Sequence, residues 1–379
     1  MRPATLEFLK QRFTEYYEKG YLSEPSALSQ REWGFIFFDA SSEVRMRRHM
    51  AFADGRELRS YIRSMVPAHV YYSTAYYEMP GAPTMGEKFW TGADLIFDLD
   101  ADHIMRGSYT DMLKRVQEET IKLIGMLTDE LGFRHRDVSV VFSGGRGYHI
   151  HVRDIAIREW GSQERREVID YVCGTGIDPG VMLSARPGMP GGWQRRYIDA
   201  LREHLLWLSG LERGDAMRYL TGFERIGEKT ASGFLDGIEP LLMHLQEYRT
   251  EGLSHNRMLR AIVAAEEGDL ADRVREQAAR ADEPVTTDTR RLIRMPTSLH
   301  GGSGLRAAPL AVKDLPEFDP LVDAVVFGTR ERKVDMRAAL TMPILGNAYR
   351  LTKGVNRVPE ALAVFVCCRG MAEIAGGGG

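Results

Sequence analysis

The sequence predicts a mixed α/β fold in which a strand-bearing catalytic domain is interrupted by an all-helical insertion, and three observations predict it. Short aromatic and β-branched runs bounded by turn residues mark strands between Trp33 and Val152. After about residue 155 the pattern changes to repeated helical spacing with few strand-like runs. Near Pro284 strand and turn signals return and persist to about Phe327, so the chain re-enters its first domain. The expected division is a catalytic domain of residues 1–155 and 283–345, an inserted helical subdomain of 156–282, and a C-terminal helical segment of 346–379 ending in a disordered tail, Gly376–Gly379. A chain of 379 residues is long enough for two or three domains at roughly 100 to 200 residues each.

In chain order, Leu6, Leu9, Phe13 and Tyr17 recur at helical spacing, with Gly20 where a helix would stop. Trp33–Phe38, Val70–Tyr72 and Leu95–Leu99 read as strands. Ser108 can cap a helix that carries Leu113, Val116, Leu123, Leu127 and Leu131 on one side before Gly132 ends it. Val138–Phe142 and Tyr148–Val152 are strands joined by the Gly-rich turn Ser143-Gly144-Gly145-Arg146-Gly147. Gln163–Val172, Gln194–Leu208 and His255–Arg280 read as helices of the insertion, and no internal repeat occurs.

Composition narrows the function classes. Hydrophobic residues make up 44% and charged residues 27%, an ordinary globular balance. The longest apolar stretches, such as Ala361–Cys368, fall short of the ~20 residues that span a bilayer. The N-terminus carries Arg2, Glu7 and Lys10 rather than the apolar core of a signal peptide, so the expected location is cytoplasmic. Three cysteines, Cys173, Cys367 and Cys368, suit neither a disulfide framework nor a four-ligand zinc site. With a formal net charge of −3, any contact with phosphates must come from local basic clusters such as Arg45, Arg47 and Arg48, or Arg290, Arg291 and Arg294. Without further context either cluster reads first as a solvated face.

In Asp94-Leu95-Ile96-Phe97-Asp98-Leu99-Asp100, a central strand would point Asp98 and Asp100 to one face and Leu95, Phe97 and Leu99 to the other. Two carboxylates forced together repel unless a cation lies between them, and hard oxygen ligands at this spacing suit Mg²⁺ or Mn²⁺. A lone Asp-x-Asp also occurs on solvated strands, so it needs corroboration. The Ser143–Gly147 turn offers closely spaced backbone N–H groups that can receive phosphate oxygens, although such glycines also simply make a tight turn. Beyond it His149 and His151 share a strand face, placing a histidine beside the loop or merely in a satisfied structural position. In Arg290–Gly302, basic residues lead into a Gly-rich turn near Arg306 that could hold a triphosphate. It is not a Walker loop, and the closest spacing to one, Gly81–Lys88, has Glu87 where Lys is required.

Together Phe97-Asp98-Leu99-Asp100-Ala101-Asp102-His103, Ser143-Gly144-Gly145-Arg146-Gly147-Tyr148-His149, and Arg291-Leu292-Ile293-Arg294 followed by Ser298-Leu299-His300-Gly301 resemble the three motifs of archaeo-eukaryotic DNA primases, catalytic small subunit of archaeal type. The resemblance extends to Arg31–Phe35 and Arg48–Phe52 and spans about residues 1–330. It implies an α+β fold of mixed sheets flanked by helices, and two-metal nucleotidyl transfer that makes short RNA, or also DNA, primers on single-stranded DNA from nucleoside triphosphates, in a heterodimer with a large subunit. Asp98, Asp100 and a third carboxylate, Asp282 with Asp288 as runner-up, would hold Mg²⁺ or Mn²⁺. Ser143, Arg146, His149, Arg294 and His300 would contact the incoming triphosphate, and Glu32 with Arg48 would lie near the initiating nucleotide. Two departures stand out. Residues 101–131 hold no cysteine, so no structural zinc is expected, and Gly302 stands where the family commonly has a phosphate-contacting lysine, for which Arg306 or Lys313 could compensate. The alternatives are an end-joining type repair polymerase of the same superfamily and a non-catalytic nucleic-acid-binding subunit.

Overall fold

A computed structural model describes residues 1–38, 45–104, 107–184, 189–265 and 268–375. The expected glycine tail lies outside these described residues. The strands are β1 (Trp33–Ile36), β2 (Met46–Met50), β3 (His69–Ser73), β4 (Ala75–Tyr77), β5 (Trp90–Ala93), β6 (Leu95–Asp100), β7 (Val138–Phe142), β8 (Gly147–Val152), β9 (Leu292–Arg294), β10 (Ala308–Leu310), β11 (Glu331–Met336), β12 (Leu340–Ile344), β13 (Asn347–Leu351), β14 (Gly354–Pro359) and β15 (Ala372–Ile374). Two four-stranded sheets carry the first compact unit, which comprises residues 1–124, 133–169 and 280–379: one in the order β2-β1-β3-β9, the other β10-β7-β8-β6. The fold is mixed α/β, and neighbouring strands of these two sheets pair antiparallel.

The first sheet separates two environments. Phe35 on β1 packs its ring against Tyr61 at 4.9 Å, on the helix Gly55–Met65, which buries Leu58 and Ile62. Asp54 caps that helix by accepting from the backbone N–H groups of Arg56 and Glu57. Gly34, Tyr71 and Arg294 stand opposite one another in the register and so share the other face.

In the second sheet Leu95, Phe97 and Leu99 are fully buried while Asp98 and Asp100 are half-buried. Contrary to the sequence reading, the strand that bears the carboxylates is not central but ends its sheet, since β6 pairs with β8 alone. The Asp98 carbonyl is instead satisfied by the backbone N–H of Asp282 at 2.9 Å, at the entry to the short helix Glu283–Thr287. The edge is thus covered at Asp98 by a segment that lies beyond the whole insertion in sequence, which no pattern within β6 announces.

The second unit comprises residues 125–132 and 170–279. Its helices include Gly192–Ser209, Arg213–Thr221, Glu228–Asp236, Ile238–Gln246, Arg257–Val263 and Asp269–Gln277, around a core of Leu201, Leu205, Leu208, Leu220, Phe234, Leu245, Leu259 and Ile262. The expected helix His255–Arg280 is divided at Gly268, whose φ of +124° few other residues adopt. The segment 346–375, read as helical, also contributes β13, β14 and β15, and its helix Glu360–Cys368 is buried all round, which hides any helical period.

Candidate active site

The β6–β8 register sets Asp98 opposite His149 and Asp100 opposite Gly147. Side chains directly opposite share a face, so His149 stands beside Asp98, its Nε2 3.7 Å from Oδ1, too long for a hydrogen bond. Gly147 leaves the space beside Asp100 open. It has no choice, because a Cβ there would lie 2.2 Å from the Leu99 carbonyl oxygen. Asp100 Oδ1 accepts from the backbone N–H of Asp102 at 3.0 Å.

The turn that follows is fixed by its own backbone. Gly144 takes φ +78°, and a Cβ there would meet His300 Cβ at 2.8 Å. Ser143 Oγ accepts from the Gly145 N–H at 3.2 Å, and Tyr109 donates its hydroxyl to the Gly145 carbonyl at 2.6 Å. Arg146 is engaged by the Asp102 carboxylate, a partner that the sequence motif contained without marking.

Arg294, on the other sheet, is almost completely buried. It donates to His69 Nδ1 at 2.9 Å and to the Tyr71 hydroxyl at 2.9 Å, with its guanidinium 4.7 Å from the Tyr71 ring centre. His69 therefore keeps its proton on Nε2, and burial, with Arg294 beside it, pulls its pKa down to about 3. His149 is likewise lowered to about 3, by burial and then by Arg294 and Arg291. His300 is held well below its ordinary value by burial, then by Arg294 and His69. Its Nδ1 accepts from the Gly302 N–H at 3.2 Å, which leaves Nε2–H as a donor beside the turn. At neutral pH these imidazoles are neutral donors, and the fixed positive charge comes from arginines.

A cavity of about 260 Å³ gathers Asp98, Asp100, Ser143, Arg146, His149, Arg294 and His300. Arg291, read in the sequence as part of a basic cluster, lines it too, as do Tyr71 and Arg369, which sequence reasoning missed. Tyr71 lay in an expected strand without any motif, whereas Arg369 carried no signal. The other expected residues are not among the lining. Glu32 and Arg48 pair with each other at 3.0 Å, with the Lys88 ammonium 3.8 Å from the Glu32 carboxylate. Asp288 accepts from the Arg290 N–H at 2.8 Å. Asp282 meets β6 only through its backbone N–H on the Asp98 carbonyl, and its side chain makes no capping bond to the helix it starts. Among the described residues no three His, Cys, Asp or Glu side chains are grouped to hold a metal ion. The donor chemistry of Asp98 and Asp100, paired half-buried carboxylates at the mouth of a polar cavity, nonetheless fits a hard divalent cation. Arg306 donates to the Asp323 carbonyl, and neither it nor Lys313 reaches the cavity. A larger hollow of about 500 Å³ in the helical unit, lined by residues such as Trp193, Val263 and Val274, brings no comparable set of charged groups together.

A family model described as DNA primase small subunit matches residues 97–312, which takes in all three motifs. The chain belongs to the DNA primase small subunit family. A curated DNA primase small subunit PriS of Methanosphaerula palustris is 56% identical over 377 residues, covering all of both chains. Those of Methanoregula boonei and Methanocorpusculum labreanum are 57% identical over 99% of this chain and 53% over all of it, each covered in full. A primase small subunit is the catalytic, nucleotidyl-transferring subunit. No described helix is long and apolar enough to cross a membrane.

Proposed function

We propose that the chain synthesises short RNA primers, and can also use deoxyribonucleotides, by transferring a nucleoside monophosphate from a triphosphate to a 3′-hydroxyl on a single-stranded DNA template, together with a large subunit. The observation that carries this is the convergence of two sheets: the first brings Arg294 and the second brings Asp98, Asp100 and the Ser143–Gly147 turn to one cavity. Magnesium or manganese held by Asp98 and Asp100, with Asp282 as the proposed third carboxylate, would supply the Lewis acid that activates the 3′-hydroxyl and steadies the leaving pyrophosphate.

The chain's own groups account for the rest. The turn offers backbone N–H groups to phosphate oxygens, that of Gly145 by releasing Ser143 Oγ. His300 Nε2–H and neutral His149 donate without adding charge, and Arg294, oriented by His69 and Tyr71, meets the negative charge that grows on the leaving group. Arg146 holds Asp102 through one terminal nitrogen and keeps its other N–H donors for phosphate. Arg48, on β2 of the sheet that carries Arg294, and Glu32, just before β1, cluster with Lys88 and are proposed to lie near the initiating nucleotide.

The test is to incubate the chain, with and without a large subunit, on single-stranded DNA with ribo- or deoxyribonucleotides and Mg²⁺ or Mn²⁺. De novo oligomers are expected. Extension of supplied primers only would indicate a repair polymerase, and binding without synthesis would overturn the catalytic reading.

A further inference from the structure

We propose that Arg369 is a triphosphate-contacting residue of this site, a cation delivered from the chain's last helix to the side of the cavity that holds His300 and Gly145. The inference rests on the nucleotidyl-transfer reading above and adds a residue outside all three motifs. Arg369 lines the cavity although it follows the helix Glu360–Cys368, far along the chain from the motif residues.

Its backbone has no freedom to swing away. The Gly370 N–H bonds to the Cys367 carbonyl at 3.0 Å and the Met371 N–H to the Val366 carbonyl at 2.9 Å, with Gly370 at φ +67°. This double bond pattern locks a helix end, and β15, paired with β11, anchors the chain immediately beyond it. The guanidinium is held between rings, 5.0 Å from the centre of Tyr109 and 5.6 Å from that of Phe365, and those rings pack edge to face at 5.4 Å. Tyr109 in turn donates to the Gly145 carbonyl, so the same residue that carries Arg369 also braces the phosphate-cradling turn.

The cavity's other cations show why this one matters. Arg146 is drawn to Asp102, Arg294 has two of its five N–H donors held by His69 and Tyr71 and is almost completely buried, and Arg291 is exposed. Arg369 has neither a carboxylate at salt-bridge distance nor a side-chain hydrogen-bond acceptor among the described residues, and it is half-buried, open to the cavity. A partly desolvated guanidinium stacked on aromatic faces, with its fork of donors uncommitted, is suited to bind phosphate oxygens. Gly302, two residues beyond His300, offers no side chain to do so.

The experiment compares wild type with Arg369→Gln and Arg369→Lys for binding of a nucleoside triphosphate and of the matching monophosphate in Mn²⁺, alongside thermal melting. Arg369→Gln is expected to weaken the triphosphate about tenfold, the scale of one charge-assisted hydrogen bond, while leaving the monophosphate and the melting temperature unchanged. Arg369→Lys should recover part of the loss by charge alone. Triphosphate binding as tight as wild type in Arg369→Gln overturns the proposal, and so does equal loss of both ligands, which would mark a structural role. Failure of the wild-type chain to bind triphosphate would sink the underlying reading instead, and is separable because it does not depend on residue 369.

Discussion

The two units of the chain handle burial in opposite ways. The helical unit closes on leucines and isoleucines, and His204 and Thr250 are the buried polar side chains among its described residues. The catalytic unit buries Arg31, Glu32, Lys88, Asp94, His149, His151, Arg165 and Arg294. Buried charge is costly unless it is paired, and an apolar replacement is often at least as stable. Retaining so much of it therefore points to positioning rather than stability. Arg31 shows how: its guanidinium donates to the Ser73 and Thr74 carbonyls at 3.0 and 2.7 Å and to Asp94 at 2.9 Å, tying the end of β3 to the approach to β6. Those two strands carry Tyr71 and Asp98.

The sharpest way to break this contrast is at the carboxylates. Asp98→Ala or Asp100→Ala should lower primer synthesis by at least roughly a hundredfold, since each removes charge that acts on the reacting groups, and should leave the melting temperature within a few degrees of wild type. Wild-type rates in either variant would remove the metal assignment. Arg31→Met should instead act on the fold: Asp94 would be left buried beside Tyr76 alone and Arg153 at 3.5 Å, at a cost of about 3 to 5 kcal/mol in urea unfolding. If Arg31→Met proved neutral in stability and activity, the positioning argument would be wrong. In the helical unit, Leu205→Ala should cost about 2 to 4 kcal/mol through its cavity, yet leave the KM for nucleotide unchanged in the folded protein. A raised KM would show that the helical unit helps bind nucleotide.

What the sequence made legible follows the same contrast. The carboxylate pair was readable because a strand's period of two is short enough to show in six residues, and the Ser143–Gly147 turn because Gly144 and Gly147 are needed by its geometry. Arg294 and His300 were readable only as parts of a motif. The edge position of β6 was not readable, because the helix that covers the edge begins at Asp282, beyond the whole insertion. Tyr71 and Arg369 act through tertiary placement, and no local pattern announces them. The insertion's helices were legible as a class from apolar spacing, but not the break at Gly268.

The smallest expected effect tests the one buried histidine among the described residues of the helical unit. His204 is fully buried, its Nε2 is 3.3 Å from the Tyr219 hydroxyl, and its Nδ1 has no partner among the described residues. Burial lowers its pKa from 6.5 to about 4, with Asp269 opposing and Arg273 reinforcing the shift. The unfolded chain thus binds a proton that the folded chain refuses between those values, so stability is full above about pH 6.5 and is lost as pH falls towards 4. The loss should approach about 2 to 3 kcal/mol. His69, His149, His151 and His300 of the catalytic unit shift in the same direction, so the measurement is a difference: urea unfolding of wild type and His204→Leu from pH 7 to pH 4. The variant should gain on wild type as pH falls, because it has no imidazole to protonate. Parallel curves would mean that His204 is protonated in the fold, and that the helical unit, like the catalytic one, accommodates a buried charge.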